Sequence, residues 1–194
     1  MKKQVLFIHS AGPQGSHAGS DDLVAYLNDA LGAKYRVLHP KMPEPENPSY
    51  AAWKLQLQSQ LASITSDVIL VGHSLGGSVL LKFLSEEKTE TPIAGLCILG
   101  APYWGNKGWK STDFALPKDR SILLQIPNII LFHSRDDDVV PFDHLHEYAK
   151  NLPFVTVHEL DHYGHLFVNG CPDLIHEIRR LFKKHVGKKS LQTP

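Results

Sequence analysis

The sequence predicts an α/β fold in which a six-stranded parallel sheet carries helices on both faces. Short apolar runs alternate along the chain with amphipathic segments, which is the order expected of β-α-β units. The apolar runs show little polar alternation, as in strands that are buried on both faces. The 194 residues suffice to bury the core of one domain, so a single domain over residues 1–194 is expected.

Six runs rich in Val, Ile, Leu and Phe are the strand candidates, at residues 4–9, 35–39, 67–71, 93–99, 128–133 and 154–159. Five helices are predicted between and after them. The first follows Ser20, which is placed to cap a helix, and ends at Gly32. The others are marked by an apolar face from Trp53 to Ile64, by residues 75–84, and by the segments after Pro141 and Pro172.

Two loops interrupt this alternation. Residues 40–48 are rich in proline, and residues 101–127 form a long irregular insertion. Loops of this length in a compact domain are usually functional or disordered, so we expect the insertion to lie near the active site. Its aromatic residues either line a substrate pocket or pack the insertion onto the sheet, and the candidate substrate-binding residues are Tyr103, Trp104 and Trp109.

Charge and composition argue against several classes of protein. Lys+Arg and Asp+Glu number 20 each, so no basic field attracts nucleic acid or an anionic membrane surface. No apolar run is long enough to span a membrane, and the four-residue run near the start is too short for a signal peptide. We therefore expect a cytoplasmic protein without a nucleic-acid or membrane partner.

Residues 72–76 read GHSLG, match G-x-S-x-G, and stand between a strand candidate and a helix candidate. A serine on so sharp a turn adopts strained dihedrals, and positions 72 and 76 need glycine because larger side chains would clash. The Ser74 hydroxyl would lie at a helix N-terminus, where free N–H groups favour negative charge. Ser74 is the candidate nucleophile of such an elbow, and the alternative is a serine that only caps the helix.

A serine nucleophile requires a base, and the base requires an orienting acid. In this architecture both follow later strands, in the order Ser, Asp or Glu, His. Three carboxylates stand at 136–138, and the distance to Pro141 selects Asp137, with its neighbours interpreted as a solvated turn. His162 and His165 follow the last strand, and the glycine before His165 favours that residue because it lets the loop turn the ring towards the serine.

An oxyanion hole needs a second donor from the loop after the first strand. The backbone N–H of Ala11, paired with that of Leu75, is the candidate. This loop has neither the G-x-G-x-x-G spacing nor the lysine of a phosphate loop. His158, His162 and His165 raise the alternative of a metal site, as do His144 and His146. Residues 158–162 read HELDH and so have the letters of H-E-x-x-H, but His158 and His162 are predicted at a strand end and in a loop, not at i, i+4 on a helix. We expect neither a metal nor another cofactor.

Several of these motifs resemble the α/β-hydrolase superfamily: VLFIHSAG, VILVGHSLGG, FHSRDDDVVPF and YGH. The stretch HPKMPEPENPSYAAW is similar to the small serine hydrolase group that includes retinoblastoma-binding protein nine and its bacterial relatives. The resemblance covers nearly the whole chain. It implies a minimal α/β-hydrolase fold with strand order 2-1-3-4-5-6, no large cap domain, and a triad at Ser74, Asp137 and His165.

One departure from this group concerns partners. The Leu-x-Cys-x-Glu element associated with retinoblastoma binding has no counterpart, because the matching region reads QLASIT. The resemblance therefore implies no retinoblastoma-type partner. The expected function is a serine hydrolase that acts on small-molecule carboxylic esters, or on thioesters or amides, through an acyl-enzyme. A binding protein with little or no turnover, and an acyltransferase, are the alternatives.

Overall fold

A computed structural model of the protein describes residues 2–105 and 109–190, with side chains as far as residue 183. In these residues six strands form one sheet in which every neighbouring pair is parallel, in the order β2-β1-β3-β4-β5-β6. The strands are β1 (Lys3–Ile8), β2 (Tyr35–Leu38), β3 (Val68–His73), β4 (Ile93–Leu99), β5 (Ile129–Ser134) and β6 (Thr156–Leu160). The predicted sheet and strand order are confirmed.

The described residues contain five α-helices: α1 (Asp21–Leu31), α2 (Tyr50–Ala62), α3 (Leu75–Glu86), α4 (Asp143–Asn151) and α5 (Pro172–Ser190). Gly32 follows α1 with a φ of 69°, as expected of a residue that ends a helix. The prediction that the α2 face continues to Ile64 is wrong, because α2 ends at Ala62. Ile64 is buried nonetheless, in the turn that follows.

Helices cover both faces of the sheet and create two apolar layers. One layer contains α2, α3 and α4 with strand residues such as Leu6 and Ile8, and the other contains α1 and α5 with Val5 and Phe7. The alternation within β1 follows from strand geometry, since successive side chains point to opposite faces. Each large side chain that is fully buried here, such as Trp53, contributes about 1.5–3 kcal/mol to stability.

The carboxyl ends of the strands meet at one edge of the sheet. His73 pairs with Leu99 at the end of β3 and β4, and Ser134 pairs with Leu160 at the end of β5 and β6. The segments that leave β3, β5 and β6 therefore start from the same edge. This is where the sequence places its three candidate catalytic residues.

The insertion at 101–127 is irregular in its described part as far as the short 3₁₀ helix Ser121–Gln125. It is tied to the helices by polar contacts. The carbonyl oxygen of Pro102 accepts hydrogen bonds from the hydroxyls of Ser78 and Tyr148, both at 2.8 Å. The described residues include no cap domain, and none of their helices has the length and apolar character needed to cross a membrane.

Candidate active site

Ser74 lies on the turn between β3 and α3 in a backbone conformation that L-amino acids rarely adopt. Its φ and ψ are 52° and −123°, and its N–H donates to the carbonyl of Leu99 at 2.8 Å. Such strain persists only where the surrounding structure enforces it, and it is common at functional sites. The alternative of a capping serine is wrong, because the hydroxyl makes no capping hydrogen bond to α3.

The glycines around Ser74 are required by close approach of the backbone. A Cβ atom on Gly76 would lie 2.3 Å and 2.4 Å from the carbonyl oxygens of Ile8 and His9. A Cβ on Gly72 would lie 2.7 Å from the Cα of Gly77. Main-chain atoms cannot rotate away, so α3 can pack against the end of β1 only with glycine at 76, and β3 can turn into α3 only with glycine at 72. The expected need for small residues at 72 and 76 agrees with this packing.

The structure brings Ser74, His165 and Asp137 together. His165 Nδ1 lies 2.8 Å from Asp137 Oδ2, and His165 Nε2 lies 3.0 Å from Ser74 Oγ. A carboxylate oxygen accepts, so Nδ1–H of His165 donates, and the lone pair of Nε2 faces the serine hydroxyl. The Ser74 and His165 residues are 9% and 6% exposed, which leaves room for a substrate but little for bulk water. This arrangement suits a general base acting on a nucleophile.

The carboxylate of Asp137 is held by four donors. Its Oδ1 accepts the N–H groups of Val139 and Val140 at 3.0 Å and 2.7 Å, and its Oδ2 lies 3.1 Å from His133 Nε2 as well as near His165. Burial alone would raise the pKa of this carboxyl group. The hydrogen bonds from His133, His165 and Val140 outweigh burial and hold the pKa of Asp137 well below its usual range. Asp137 is therefore ionised where it faces His165.

The loops that carry Asp137 and His165 are joined by the neighbouring carboxylate. Asp136, interpreted from the sequence as part of a solvated turn, is exposed but accepts the N–H of Gly164 at 3.1 Å and the hydroxyl of Ser134. Gly164 has a φ of 58°, which is the left-handed turn expected before His165. His162, the alternative base, is exposed on the same loop.

The two candidate oxyanion donors border the same cavity as the nucleophile. Ala11 and Leu75 both line a cavity of about 290 Å³ together with Ser74 and His165. By helix geometry the N–H of Leu75, in the first turn of α3, has no acceptor within its helix. The N–H of Ser10, one residue before Ala11, is already bound to Ser20 Oγ at 3.0 Å. That the N–H groups of Ala11 and Leu75 are the oxyanion donors stays a prediction.

Aromatic residues of the insertion form one wall of this cavity. The described residues that line it carry no Lys, Arg, Asp or Glu; besides the four already named, they are Ser10, Gly19, Pro48, Pro102, Trp104, Trp109, Phe114, Val139 and Leu166. The Trp104 ring packs edge-on against Trp109 at 5.0 Å and tilted against Phe114 at 5.2 Å. Trp104 and Trp109 therefore line the pocket and also pack the insertion.

Tyr103 occupies a different place from the two tryptophans. It lies outside the lining of this cavity and packs edge-on against Tyr148, with ring centroids 4.9 Å apart. Its N–H donates to His144 Nδ1 at 2.7 Å. These contacts anchor the insertion to α4, so we do not carry Tyr103 forward as a substrate-binding residue.

Some residues at the site were not anticipated from the sequence. His133 contacts the Asp137 carboxylate from within β5. His73 and Ser20 are hydrogen bonded to each other at 2.8 Å in the interior. The prediction that the Ser20 side chain caps α1 is wrong, because its hydroxyl turns inward and makes no capping bond. The sequence did carry a signal for the two histidines, because His73 and His133 each stand at or near the end of an otherwise apolar strand.

Two of the histidines considered as metal ligands have other partners. His165 bonds to Ser74, and the ring of His158 stacks on Phe132 with centroids 4.7 Å apart. Over the described ranges, no group of three or more His, Cys, Asp or Glu side chains is arranged to hold a metal ion.

Comparisons with known proteins place this geometry in context. A family model described as serine hydrolase matches residues 12–183. A sequence comparison with curated proteins found no match. Among solved structures, the ydeN gene product from B. subtilis shares 22% identity over 94% of this chain and 100% of its own, with a TM-score of 0.79.

Two enzymes of known structure are also similar. A pyrethroid hydrolase from Sphingobium faniae JZ-2 shares 19% identity over 93% of this chain and 97% of its own, with a TM-score of 0.65. The serine hydrolase CCSP0084 from Cycloclasticus zankles shares 14% identity over 100% of this chain and 92% of its own, with a TM-score of 0.67. At these identities the structural likeness shows the shared α/β-hydrolase fold.

Proposed function

This chain belongs to the serine hydrolase family, and from that premise we propose that it hydrolyses carboxylic esters through a triad of Ser74, His165 and Asp137. The observation that carries the proposal is the pair of contacts made by the His165 ring, 3.0 Å to Ser74 Oγ and 2.8 Å to Asp137 Oδ2. One ring nitrogen is thus fixed as a donor and the other as an acceptor towards the hydroxyl. A serine hydroxyl is a weak nucleophile without such a base.

Acylation starts with attack of Ser74 Oγ on the carbonyl carbon of the ester. His165 Nε2 takes the hydroxyl proton as the new C–O bond forms, and the ring becomes an imidazolium. The ionised Asp137 stabilises this cation and holds the ring in its orientation. The N–H groups of Ala11 and Leu75 stabilise the negative charge on the former carbonyl oxygen, and one such donor lowers the barrier by roughly 3–4 kcal/mol.

The tetrahedral intermediate then collapses. Its bond to the leaving alcohol breaks, and His165 Nε2–H donates the proton that the alkoxide needs. Water next attacks the acyl-enzyme with His165 again acting as the base, so the acid is released and the Ser74 hydroxyl is restored. No redox step is involved, and every proton that leaves Ser74 or water passes through the same nitrogen.

The lining of the cavity favours a substrate with a neutral, apolar acyl group. Its described lining has aromatic and aliphatic side chains but no charged one, so a charged acyl chain would lose hydration without gaining a partner. The volume of about 290 Å³ is at the lower end of the range for ligand sites, which favours short or medium acyl chains. Val139 and Leu166 are 53% and 42% exposed and would contact the substrate at the cavity mouth.

Turnover of p-nitrophenyl acetate and butyrate tests this function. We expect the wild type to release p-nitrophenol, and Ser74→Ala to lower kcat by at least about 10³-fold with folding retained. Ser63→Ala, at the C-terminal end of α2, is a matched serine control that should keep wild-type kcat. Near-normal turnover by Ser74→Ala would contradict the proposal. Adding an alcohol or amine acceptor distinguishes hydrolysis from acyl transfer by the products formed.

A further inference from the structure

Two residues precede the serine in the GHSLG turn. Close approach of the backbone explains the glycine, but the turn geometry does not explain why the residue next to Ser74 is His73. It is the last residue of β3, and none of its surface is exposed. A buried imidazole lowers stability unless its ring nitrogens have hydrogen-bond partners. The partners of His73 therefore indicate what this side chain does.

Both ring nitrogens of His73 have a partner, and the partners fix its tautomer. Nε2 lies 2.8 Å from the carbonyl oxygen of His165, which can only accept, so Nε2–H donates. In a neutral ring Nδ1 then accepts, and its partner at 2.8 Å is the hydroxyl of Ser20. Because the single proton of Ser20 is used here, the hydroxyl of Ser10, 3.2 Å away, donates to Ser20 Oγ. The N–H of Ser10 donates to the same oxygen.

This chain of hydrogen bonds joins three segments that the proposed mechanism uses. Ser10 precedes the oxyanion donor Ala11, His73 precedes the nucleophile Ser74, and the carbonyl at the other end belongs to His165 itself. The four residues of the chain are 0–6% exposed, so water does not compete for these bonds. A shift of His73 would therefore move the base and the oxyanion segment relative to the serine.

The backbone of His165 needs such an anchor because it lies in a loop between β6 and α5. The residues at 162, 164 and 167 of this loop have φ angles of 64°, 58° and 52°. Neither a strand ladder nor a helix holds the main chain at His165. Before His165 the loop is fixed by the N–H groups of Tyr163 and Gly164, which donate to Ser134 and Asp136. At His165 it is fixed by His73.

The electrostatic state of His73 suits this position. Its ring lies 5.0 Å from the ring of His165, centroid to centroid. Burial, with a further contribution from the neighbouring His165, lowers the pKa of His73 to about 3. His73 is thus uncharged at neutral pH and does not repel the imidazolium that forms on His165, whereas a cation at this distance in the interior would.

We propose that His73 is a positioning residue, which through the His165 carbonyl and through Ser20 fixes the base and the Ala11 segment relative to Ser74. The proposal rests on the function proposed above for Ser74 and His165. His73 does not itself line the cavity, so its effect is on geometry. Displacement of a catalytic group by about 1 Å can lower a rate by about 10²-fold.

Two neutral polar variants separate the two bonds of His73. The amide of glutamine lies one bond further from the backbone than that of asparagine. His73→Gln can therefore still donate to the His165 carbonyl, whereas His73→Asn reaches Ser20 but not His165. We expect His73→Asn to lower kcat for p-nitrophenyl acetate about 10–100-fold with KM within about 2-fold of wild type, and His73→Gln to stay within about 5-fold.

The measurement is made on folded protein, with active sites counted by a fluorophosphonate label, so that kcat is per competent site. The matched controls are His158→Asn and His158→Gln, since His158 lies on β6 against Phe132 and Glu177, and both should keep wild-type kcat. A folded His73→Asn variant with wild-type kcat, or equal losses in His73→Asn and His73→Gln, would overturn the positioning role.

Failure of the proposed function has a different signature. A wild type that neither turns over the ester nor takes the label would remove the triad assignment, whatever the variants show. If His73→Asn does not fold, Ser20→Ala takes its place, because it frees the Ser10 segment but leaves the bond to His165. The proposal predicts a 3–10-fold lower kcat for Ser20→Ala with unchanged KM. An unchanged kcat would contradict it.

Discussion

The turn at Ser74 and the aromatic wall of the cavity are built in opposite ways, although both border the same space. At the turn, main chain packs on main chain, and Gly72 and Gly76 leave no room for a single Cβ atom. At the wall, large side chains from an irregular segment pack against one another, with Trp104 and Trp109 only half-buried. The first arrangement fixes atoms, whereas the second fills space.

This difference indicates how the molecule divides its tasks. Groups that form and break bonds need positions held within a fraction of an ångström, and the ends of buried strands provide them. Groups that contact a variable substrate can lie on a loop, where substitution alters the pocket and leaves the sheet unchanged. Changes at the turn and its partners should affect kcat or folding, and changes at the wall should affect substrate preference.

The largest effect is expected from Asp137→Asn. An amide can donate to His165 Nδ1, which places the ring proton on Nε2 and removes the acceptor that faces Ser74. We expect kcat to fall by about 10⁴-fold, measured with p-nitrophenyl acetate. The adjacent exposed Asp138 offers a matched control, and Asp138→Asn should retain wild-type kcat. Similar losses in both variants would mean that the loop, rather than the Asp137 carboxylate, is what matters.

Gly76→Ala should be the most destabilising single methyl addition at the turn. The new Cβ meets the carbonyl oxygens of β1, so strand and helix must separate, which lowers the free energy of unfolding by about 3 kcal/mol or more. Urea denaturation measures the change. Gly95→Ala is the comparison, because its Cβ meets the movable Leu181 side chain, and about 1 kcal/mol is expected. Equal losses would argue against the rigid contact.

Acid should destabilise the protein through His9, the residue that follows β1. Burial first, and then His39, lower the pKa of His9 from 6.5 to about 4, so below pH 6.5 the unfolded chain binds a proton that the folded chain does not. Stability is complete above pH 6.5 and is lost as the pH falls towards 4, by about 3 kcal/mol for this group. In urea denaturation at several pH values, His9→Asn should show a shallower loss than wild type. Parallel curves would contradict this assignment.

The smallest effect is expected at the wall. Trp109→Ala removes apolar surface from the cavity but touches none of the three catalytic candidates. For p-nitrophenyl hexanoate kcat/KM should fall about 10-fold, and for the acetate it should stay within about 2-fold. Leu124→Ala, at an exposed site outside the cavity, is the control and should leave both values unchanged. A uniform loss with both esters would place Trp109 in structural support instead of substrate contact.

The parallel sheet and the approximate helices followed from local signals, whereas the strand order followed from the resemblance to the α/β-hydrolase superfamily. Apolar runs mark the four central strands, which are largely buried, and β4 was predicted at its observed bounds, residues 93–99. The expectation of burial on both faces is wrong for the two edge strands, because β2 and β6 are mostly partly exposed. The choice of Ser74, Asp137 and His165 used motif position and chain order, and the structure places the three side chains in one hydrogen-bonded row. Such signals need no knowledge of which distant residue is in contact.

Contacts between distant polar residues were not predictable in this way. The hydrogen-bond partners of His73 lie 53 and 92 positions away from it along the sequence, and nothing near His73 identifies either partner. Ser20 has the local pattern of a helix cap, but a buried imidazole competes for its hydroxyl and prevails, because an unpaired ring nitrogen in the core costs more free energy than an uncapped N–H near the surface. Tyr103 likewise turns to Tyr148 through tertiary packing.

The most direct test of the account is to label the wild-type protein with a fluorophosphonate and to locate the adduct by mass spectrometry. The account predicts one adduct on Ser74, absent from Ser74→Ala and strongly reduced in His165→Ala, since the hydroxyl reacts only when His165 accepts its proton. An adduct on a different residue, or none on folded wild-type protein, would contradict an activated Ser74. The hydrolase mechanism proposed for this site would then be wrong.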